Sequence, residues 1–390
     1  MKRFALNFIC KNESHIIERM LTSALPLTDL IVALDTGSTD DTIEVIQNFG
    51  IRHNIPTYVF ERPFDDFGSS RNYALEMLKE TTNAAGWDLE QSWGFWIDCD
   101  EQIEISASFK RDQINQDIYY VSTVSEDINF TKQLFFRLSK PFYWKGVVHE
   151  YIAHNDPTIQ EAIIYNIQVI YEKKGASWQG DLTQKFLNYA EKLKTFIDQG
   201  NPEYRWIYYV GQSYSAAAMH STSNQQKMDL LLLARETYQK ALNIDNLERD
   251  EKYKLKERIA DNKIRCGERW SDIQQDLLKA HAIDRRRGEP FCPIIEHYIE
   301  KQTWQTAYLY SSFAYKNYHQ KKPKDVDISE LRASVYEWQL LFYHYSACLH
   351  SGRISEARPL QIELKQLIQN SPQSFTEEAV QHIKPHLSKI

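Results

Sequence analysis

The sequence predicts two parts: an α/β domain over residues 1–178, Rossmann-like with a mostly parallel sheet, and an all-α domain over residues 179–390. Two observations predict this. Up to about Tyr171, short apolar runs alternate with polar stretches of helical length, the rhythm of strands joined by crossover helices. After about Glu172 the strand signals fade, and apolar residues recur near every third or fourth position.

In order, RFALNFIC, LIVAL, PTYVF and GFWID read as strands, and ESHIIERMLTSAL, DTIEVIQNFG and SSRNYALEMLKETT as the helices between them. Ligands of such sheets gather at the carboxyl ends of the strands, and Asp35 and Asp98 each end a predicted strand there. In the second half LTQKFLNYAEKLKTFID, MDLLLLARETYQKAL and DEKYKLKERIADNKIR read as amphipathic helices. Val210, Gly211 and Tyr214, followed by Ala234, Tyr238 and Ala241, match the small and aromatic positions of a tetratricopeptide repeat. Ala307 and Ala314 keep the spacing of that repeat's second helix; Trp338, Leu341 and Tyr345 keep that of its first. Close packing of helix pairs already accounts for small residues at these places.

Composition excludes several classes. The chain has few Gly and Pro for its length but 23 Tyr, 18 Phe and 9 Trp, so ordered structure is expected throughout. A net charge of -7 gives no bulk attraction to a phosphate backbone, and the basic run Arg285, Arg286, Arg287 is too short to change that. No nucleic-acid partner is expected. The opening MKRFALNFICKNESH reads as a strand rather than an export signal, because Asn7 and Lys11 interrupt its apolar stretch. No run approaches the ~18 apolar residues of a membrane span. Five cysteines without CxxC spacing read as reduced thiols in a cytoplasmic protein.

Five clusters stand at element boundaries: KNESH (11–15), ALDTGSTDDT (33–42), FGSSRNYAL (67–75), WIDCDE (96–101) and WKGVVHEYI (144–152). Asp98 and Asp100 beyond a strand offer hard oxygen ligands to Mg²⁺ or Mn²⁺; a solvated acidic turn is the plainer reading. Ser38 or Thr39 is placed to cap a helix. Arg71 opposes the charge preference of a helix start, which a phosphate or a surface ion pair would relieve. Phosphatases of the haloacid dehalogenase type also end a strand in Asp-x-Asp. They normally carry Thr or Val where this chain has Gln102, and they open with the motif rather than reaching it after two βα units.

In this order the five clusters resemble family 2 glycosyltransferases of the GT-A fold, in the branch where a short catalytic domain precedes tetratricopeptide-like helices. The layout is similar to that of bacterial sugar-peptide synthases. The resemblance implies a metal-dependent, inverting transfer of a hexose, glucose or N-acetylglucosamine foremost, from a UDP-sugar to a protein, peptide or glycan acceptor. It implies that Asn12, Glu13, Asp35, Arg71, Asn72 and Asp98 contact the nucleotide-sugar, that Asp98 and Asp100 hold Mn²⁺ or Mg²⁺, and that Trp144 offers an aromatic face to sugar or acceptor. Glu13 reads equally as a first-turn helix residue. Glu150 is the candidate base, with His149 as third metal ligand or diphosphate contact; the two roles exchange readily, and a buried structural His–Glu pair competes with both. Glu126 and Asp127 are a second match for the base. The helices would orient the acceptor or pair two chains as a homodimer. A rival from another class is a non-catalytic, protein-binding scaffold of tetratricopeptide type with a degenerate transferase domain.

Overall fold

A computed structural model of the chain describes residues 2–125, 129–323 and 331–387. They form two compact units, one of the described residues up to His220 and one from Ser221 on. Glu126 and Asp127 lie outside the described residues.

The first unit opens with alternating strands and helices: β1 (Arg3–Cys10), α1 (Ile17–Ala24), β2 (Leu30–Asp35), α2 (Thr42–His53), β3 (Thr57–Glu61), α3 (Phe67–Ala84) and β4 (Ser92–Trp96). These are the elements read from the sequence. Next come β5 (Glu101–Ile105), β6 (Ile118–Val124), β7 (Asn129–Arg137), β8 (Tyr143–Lys145), β9 (Tyr151–Ala153) and β10 (Glu161–Tyr171). Helices α4 (Leu182–Asp198) and α5 (Tyr204–His220) complete the unit.

Among the described residues one eight-stranded sheet has the order β3-β2-β1-β4-β7-β6-β10-β5, and β8 pairs with β9 apart from it. The β3-β2-β1-β4 half is parallel throughout, as is β6 with β10. The ladders β4–β7, β6–β7 and β10–β5 are antiparallel. The sheet is thus more mixed than the βαβ rhythm suggests, because the later strands return through short connections rather than helices.

Both faces of the parallel half are covered, which is why β1 and β2 are nearly continuous apolar runs. Phe4, Leu6 and Phe8 of β1 face a core with Met20 of α1 and Ile46 and Phe49 of α2. Ala5, Val32 and Leu34 face the opposite core with Leu75 and Leu78 of α3. Asn7 is the polar exception: its amide donates to Val32 O at 2.9 Å and Ala74 O at 3.1 Å, stitching β2 to α3.

In the second unit the described helices are α6 (Asn224–Ala241), α7 (Arg249–Arg265), α8 (Trp270–Ile283), α9 (Phe291–Glu300), α10 (Trp304–Tyr318), α11 (Leu340–His350), α12 (Ile354–Asn370) and α13 (Glu377–Ile383). Successive helices pack on one another from α6 to α12. Ala307 and Ala314 are buried in α10, the second helix of its hairpin, and Leu341 and Tyr345 in α11, the first of the next, at their repeat positions. Val210, Gly211 and Tyr214 are also buried, but on α5, which packs against α4; the unit boundary falls between α5 and α6, so the first repeat pattern does not mark one hairpin. Among the described residues no helix is long and apolar enough to cross a membrane.

Gly68, in the first turn of α3, is pressed against the β8–β9 connection: a Cβ there would lie 1.9 Å from the carbonyl oxygen of Gly146. Gly68→Ala is therefore expected to destabilise the first unit by about 1–3 kcal/mol, the usual cost of overpacking. A thermal unfolding midpoint unchanged from the native chain would show that α3 shifts freely.

Candidate active site

The site lies beyond the carboxyl ends of β1, β2 and β4, and its walls are built locally. Asp35, the last residue of β2, is almost fully buried. Its Oδ1 accepts from the backbone N–H of Gly37 and Ser38, both at 2.8 Å, and its Oδ2 from the Ser38 hydroxyl. Asn12, at φ +55°, accepts from Thr39 N–H at 2.7 Å, while its own N–H donates to the Ser38 hydroxyl. Asn12 and Asp35 thus brace one turn between them.

Arg71 stands at the centre. It lies in the first turns of α3, whose N-cap is Asp66, accepting from Ser69 N–H. Its Nη2 is 3.0 Å from Asp98 Oδ1, and its Nε 2.9 Å from Glu150 Oε1. The guanidinium packs against the edge-on pair of Trp96 and Trp144, 4.7 and 4.8 Å from their centroids. Desolvation alone would lower its pKa, but Asp98, Glu150 and Glu101 more than reverse that. For Asp98, desolvation pushes upward, and Arg71, Lys132 and the Trp96 N–H together hold the carboxyl below its ordinary value.

The hairpin that carries Trp144, His149 and Glu150 is fixed by two side-chain amides acting as extra strand partners. Asn72 donates to Trp144 O and accepts from Trp144 N–H, both at 2.8 Å. Gln133 makes the same pair of bonds to Ile152. Several expectations change here. Asn72 is spent on the backbone and is not turned to a ligand. Trp144 is 6% exposed, its ring packed on Arg71 and edge-on to Trp96 at 5.0 Å, so it presents no open face to a sugar. Glu150 is an ion-pair partner whose side chain is 7% exposed, the geometry of a group that positions Arg71 rather than of an open base.

Asp100 and Glu13 form an acidic pocket. Glu13 Oε1 accepts from Ala176 N–H at 3.0 Å, while its Oε2 is buried without a partner. Asp100 is buried beneath the segment after β10: a Cβ on Gly175 would sit 3.0 Å from its Oδ2. Burial first, then Asp98, Glu101 and Glu13, push Asp100 up to about 7. Burial likewise raises Glu13. A cation among these oxygens would relieve both, so Glu13, Asp98 and Asp100 suit a hard divalent ion.

His149 does not join them. Neither His149 nor Glu13 converges with Asp98 and Asp100 as one group of metal-ligand atoms among the described residues, so an ion there would have to draw the carboxylates together. At φ +56° the imidazole stacks on Tyr209 of α5, centroids 4.1 Å apart, and Arg205 donates to its carbonyl at 2.8 Å. Desolvation, then Arg205 and Lys185, lower it to about 3, so it is a neutral ring among cations at pH 7. Lys185 and Arg205 are residues the sequence reading passes over. Lys185 Nζ is 4.1 Å from the Trp178 ring centroid and 5.6 Å from that of Tyr189, and it has no ion pair among the described residues. Burial lowers it to about 8, against the pull of Asp100. The available signal was a basic residue embedded in aromatics, as in QKF and YRWIYY.

No family model matches the chain. A curated relative, an uncharacterised glycosyltransferase of Rickettsia prowazekii, is 25% identical over 123 residues, 32% of this chain. The match spans about a third (34%) of that protein's length. Among solved structures, S. aureus TarS is 11% identical with a TM-score of 0.34, covering 67% of this chain and 54% of its own. MamA is 12% identical with a TM-score of 0.30, covering 50% of this chain and 96% of its own. Scores of that size are too low to transfer fold or function.

The uneven charge fixes a pH dependence. A carboxyl raised to about 7 when folded, against ~3.9 unfolded, gives a folded state that binds the extra proton, so stability falls as pH rises from about 4 to about 7. Asp100→Asn should therefore stabilise the metal-free chain at pH 8 by about 2–4 kcal/mol, and by little at pH 4. A denaturant titration at both pH values checks this; equal effects would place Asp100 in a neutralised environment.

Proposed function

We propose that this chain is a glycosyltransferase that takes a hexose, glucose or N-acetylglucosamine, from a UDP-sugar and passes it with inversion to a protein, peptide or glycan acceptor. The observation that carries this reading is a division of charge at the strand ends. Glu13 and Asp100, carboxylates short of positive charge, lie beside Asp98 and share a site with Lys185, a half-buried cation without an ion pair among the described residues. A metal–diphosphate group is complementary to both. The name of the curated relative and the family resemblance of the five motifs support the same class, and the choice of UDP and hexose rests on that resemblance.

In this reading Asp98 and Asp100, with Glu13, would hold Mn²⁺ or Mg²⁺. Such an ion would supply charge neutralisation to a nucleoside diphosphate leaving group. Lys185 binds the diphosphate from the α4 side, and Arg205, through His149 O, keeps the His149 ring packed on Tyr209. Arg71 and the Trp96 N–H both hold Asp98 Oδ1, which would leave its second oxygen for a ligand. Asn12 and Asp35 shape the nucleotide wall through the turn they brace. The helices of the second unit hold the acceptor or a second copy of the chain.

UDP should bind more tightly with Mn²⁺ than with chelator, and Asp100→Ala should abolish the difference while leaving the fold intact, as isothermal titration would show. Equal UDP affinity in the two conditions would refute metal-assisted donor binding. Lys185→Ala should weaken UDP binding about tenfold or more, the ~1.4 kcal/mol or greater of a charge-assisted bond. Because Lys185 loses its proton near pH 8, native affinity should fall above that pH and the variant's should not. A shared pH profile would remove Lys185 from the site.

A further inference from the structure

The second unit contains a side-chain cluster unconnected with the chemistry above. His344 and Cys348 lie four residues apart on α11, hence on one helix face, as two metal ligands on a single helix must. Glu356, in the first turn of α12, completes a group whose ligand atoms all lie within 4.8 Å of one another. We propose that His344, Cys348 and Glu356 form a transition-metal site, with zinc the ion it suits.

The distances fit. Zinc bonds of about 2.0–2.1 Å to nitrogen and 2.3 Å to sulfur at a tetrahedral angle put the two ligand atoms about 3.6 Å apart. Cys348 Sγ is 3.8 Å from each ring nitrogen of His344, so a turn of the cysteine side chain would bring the sulfur round to the lone pair of Nε2. The other ring nitrogen is engaged from behind: Nδ1 is 3.2 Å from the Ser311 hydroxyl of α10, the kind of outer contact that fixes a ligating imidazole. The carboxylate is fixed in the same way, since Glu356 Oε2 accepts from the Tyr308 hydroxyl at 2.9 Å, leaving Oε1 for a ligand. The rings of Tyr308 and Tyr315 flank the imidazole at 5.7 and 5.1 Å. Thus two of the three ligands have outer partners, both from α10.

The donor set selects the ion. One thiolate, one imidazole and one carboxylate suit zinc, not the oxygen-preferring Mg²⁺ or Mn²⁺ proposed at Asp100. His344 and Cys348 are buried and Glu356 is exposed, so an ion enters from the carboxylate side and keeps one position for water. In the metal-free chain burial keeps the imidazole neutral, lowered to about 4, and the thiol protonated. On binding, the thiol releases its proton to solvent as the sulfur–metal bond forms. The site would pin α12 to α11 across the turn that joins them.

The full chain, stripped of metal and titrated with Co²⁺, tests this, because only a ligating thiolate gives thiolate-to-cobalt charge-transfer absorption. One equivalent should produce the band, and one equivalent of Zn²⁺ should displace it. Cys348→Ser should lose the band while Cys10, Cys99, Cys266 and Cys292 remain as internal controls. Glu356→Gln, at an exposed position where the amide still accepts from Tyr308, should fold normally and bind Zn²⁺ at least about tenfold more weakly. Absence of the band in the native chain, its survival in Cys348→Ser, or unchanged zinc affinity in Glu356→Gln would each overturn the site. If Cys348→Ser fails to fold, the Glu356→Gln measurement decides.

Discussion

The first unit depends on one guanidinium. Arg71 joins three segments far apart in sequence: the start of α3, the turn after β4 through Asp98, and the β8–β9 connection through Glu150. Breaking a buried pair strands a charge and costs about 3–5 kcal/mol, and here one cation neutralises two carboxylates. Arginine is required on geometric grounds. Its planar fork reaches both partners while it packs against the rings of Trp96 and Trp144, which a lysine ammonium cannot do.

That arrangement decides what the neighbouring acids can do. Asp98 is held ionised by Arg71, whereas Asp100, two residues on, receives no such partner and is pushed upward by the same surroundings. The contrast between two carboxylates of one motif turns an acidic stretch into a site with directional charge. Arg71 answers Asp98 and Lys132 answers Glu101 in WIDCDE, and Asp100 alone of the three acids has no such partner among the described residues.

Much of this was legible in sequence. The parallel half of the sheet followed from apolar runs buried on both faces, and Asp35, Arg71, Asp98 and Asp100 fell at strand or helix ends because chain reversals must occur there. The roles of Asn72, Trp144 and Glu150 were not legible. Each sits in a motif at the right place, yet each is satisfied by a partner more than 70 residues away, such as the Trp144 backbone for Asn72. Hydrogen bonds across such separations leave no periodic trace. The antiparallel strands were similarly obscure, because their register is set by pairing with one another rather than by helix-length spacing.

The position of the unit boundary has the same cause. The change from strand to helix pattern falls near residue 178, but the first compact unit runs on to His220. Helices α4 and α5 bring Lys185, Tyr189, Arg205 and Tyr209 to the hairpin that carries His149, and Trp206 fills the space above Gly146, where a Cβ would lie 2.5 Å from its ring. Periodicity reports the kind of element a segment forms, not the element it packs against. A fragment ending at residue 178 would therefore retain the acidic side of the site but lack its cations, and it would expose the aromatic surface on which His149 rests.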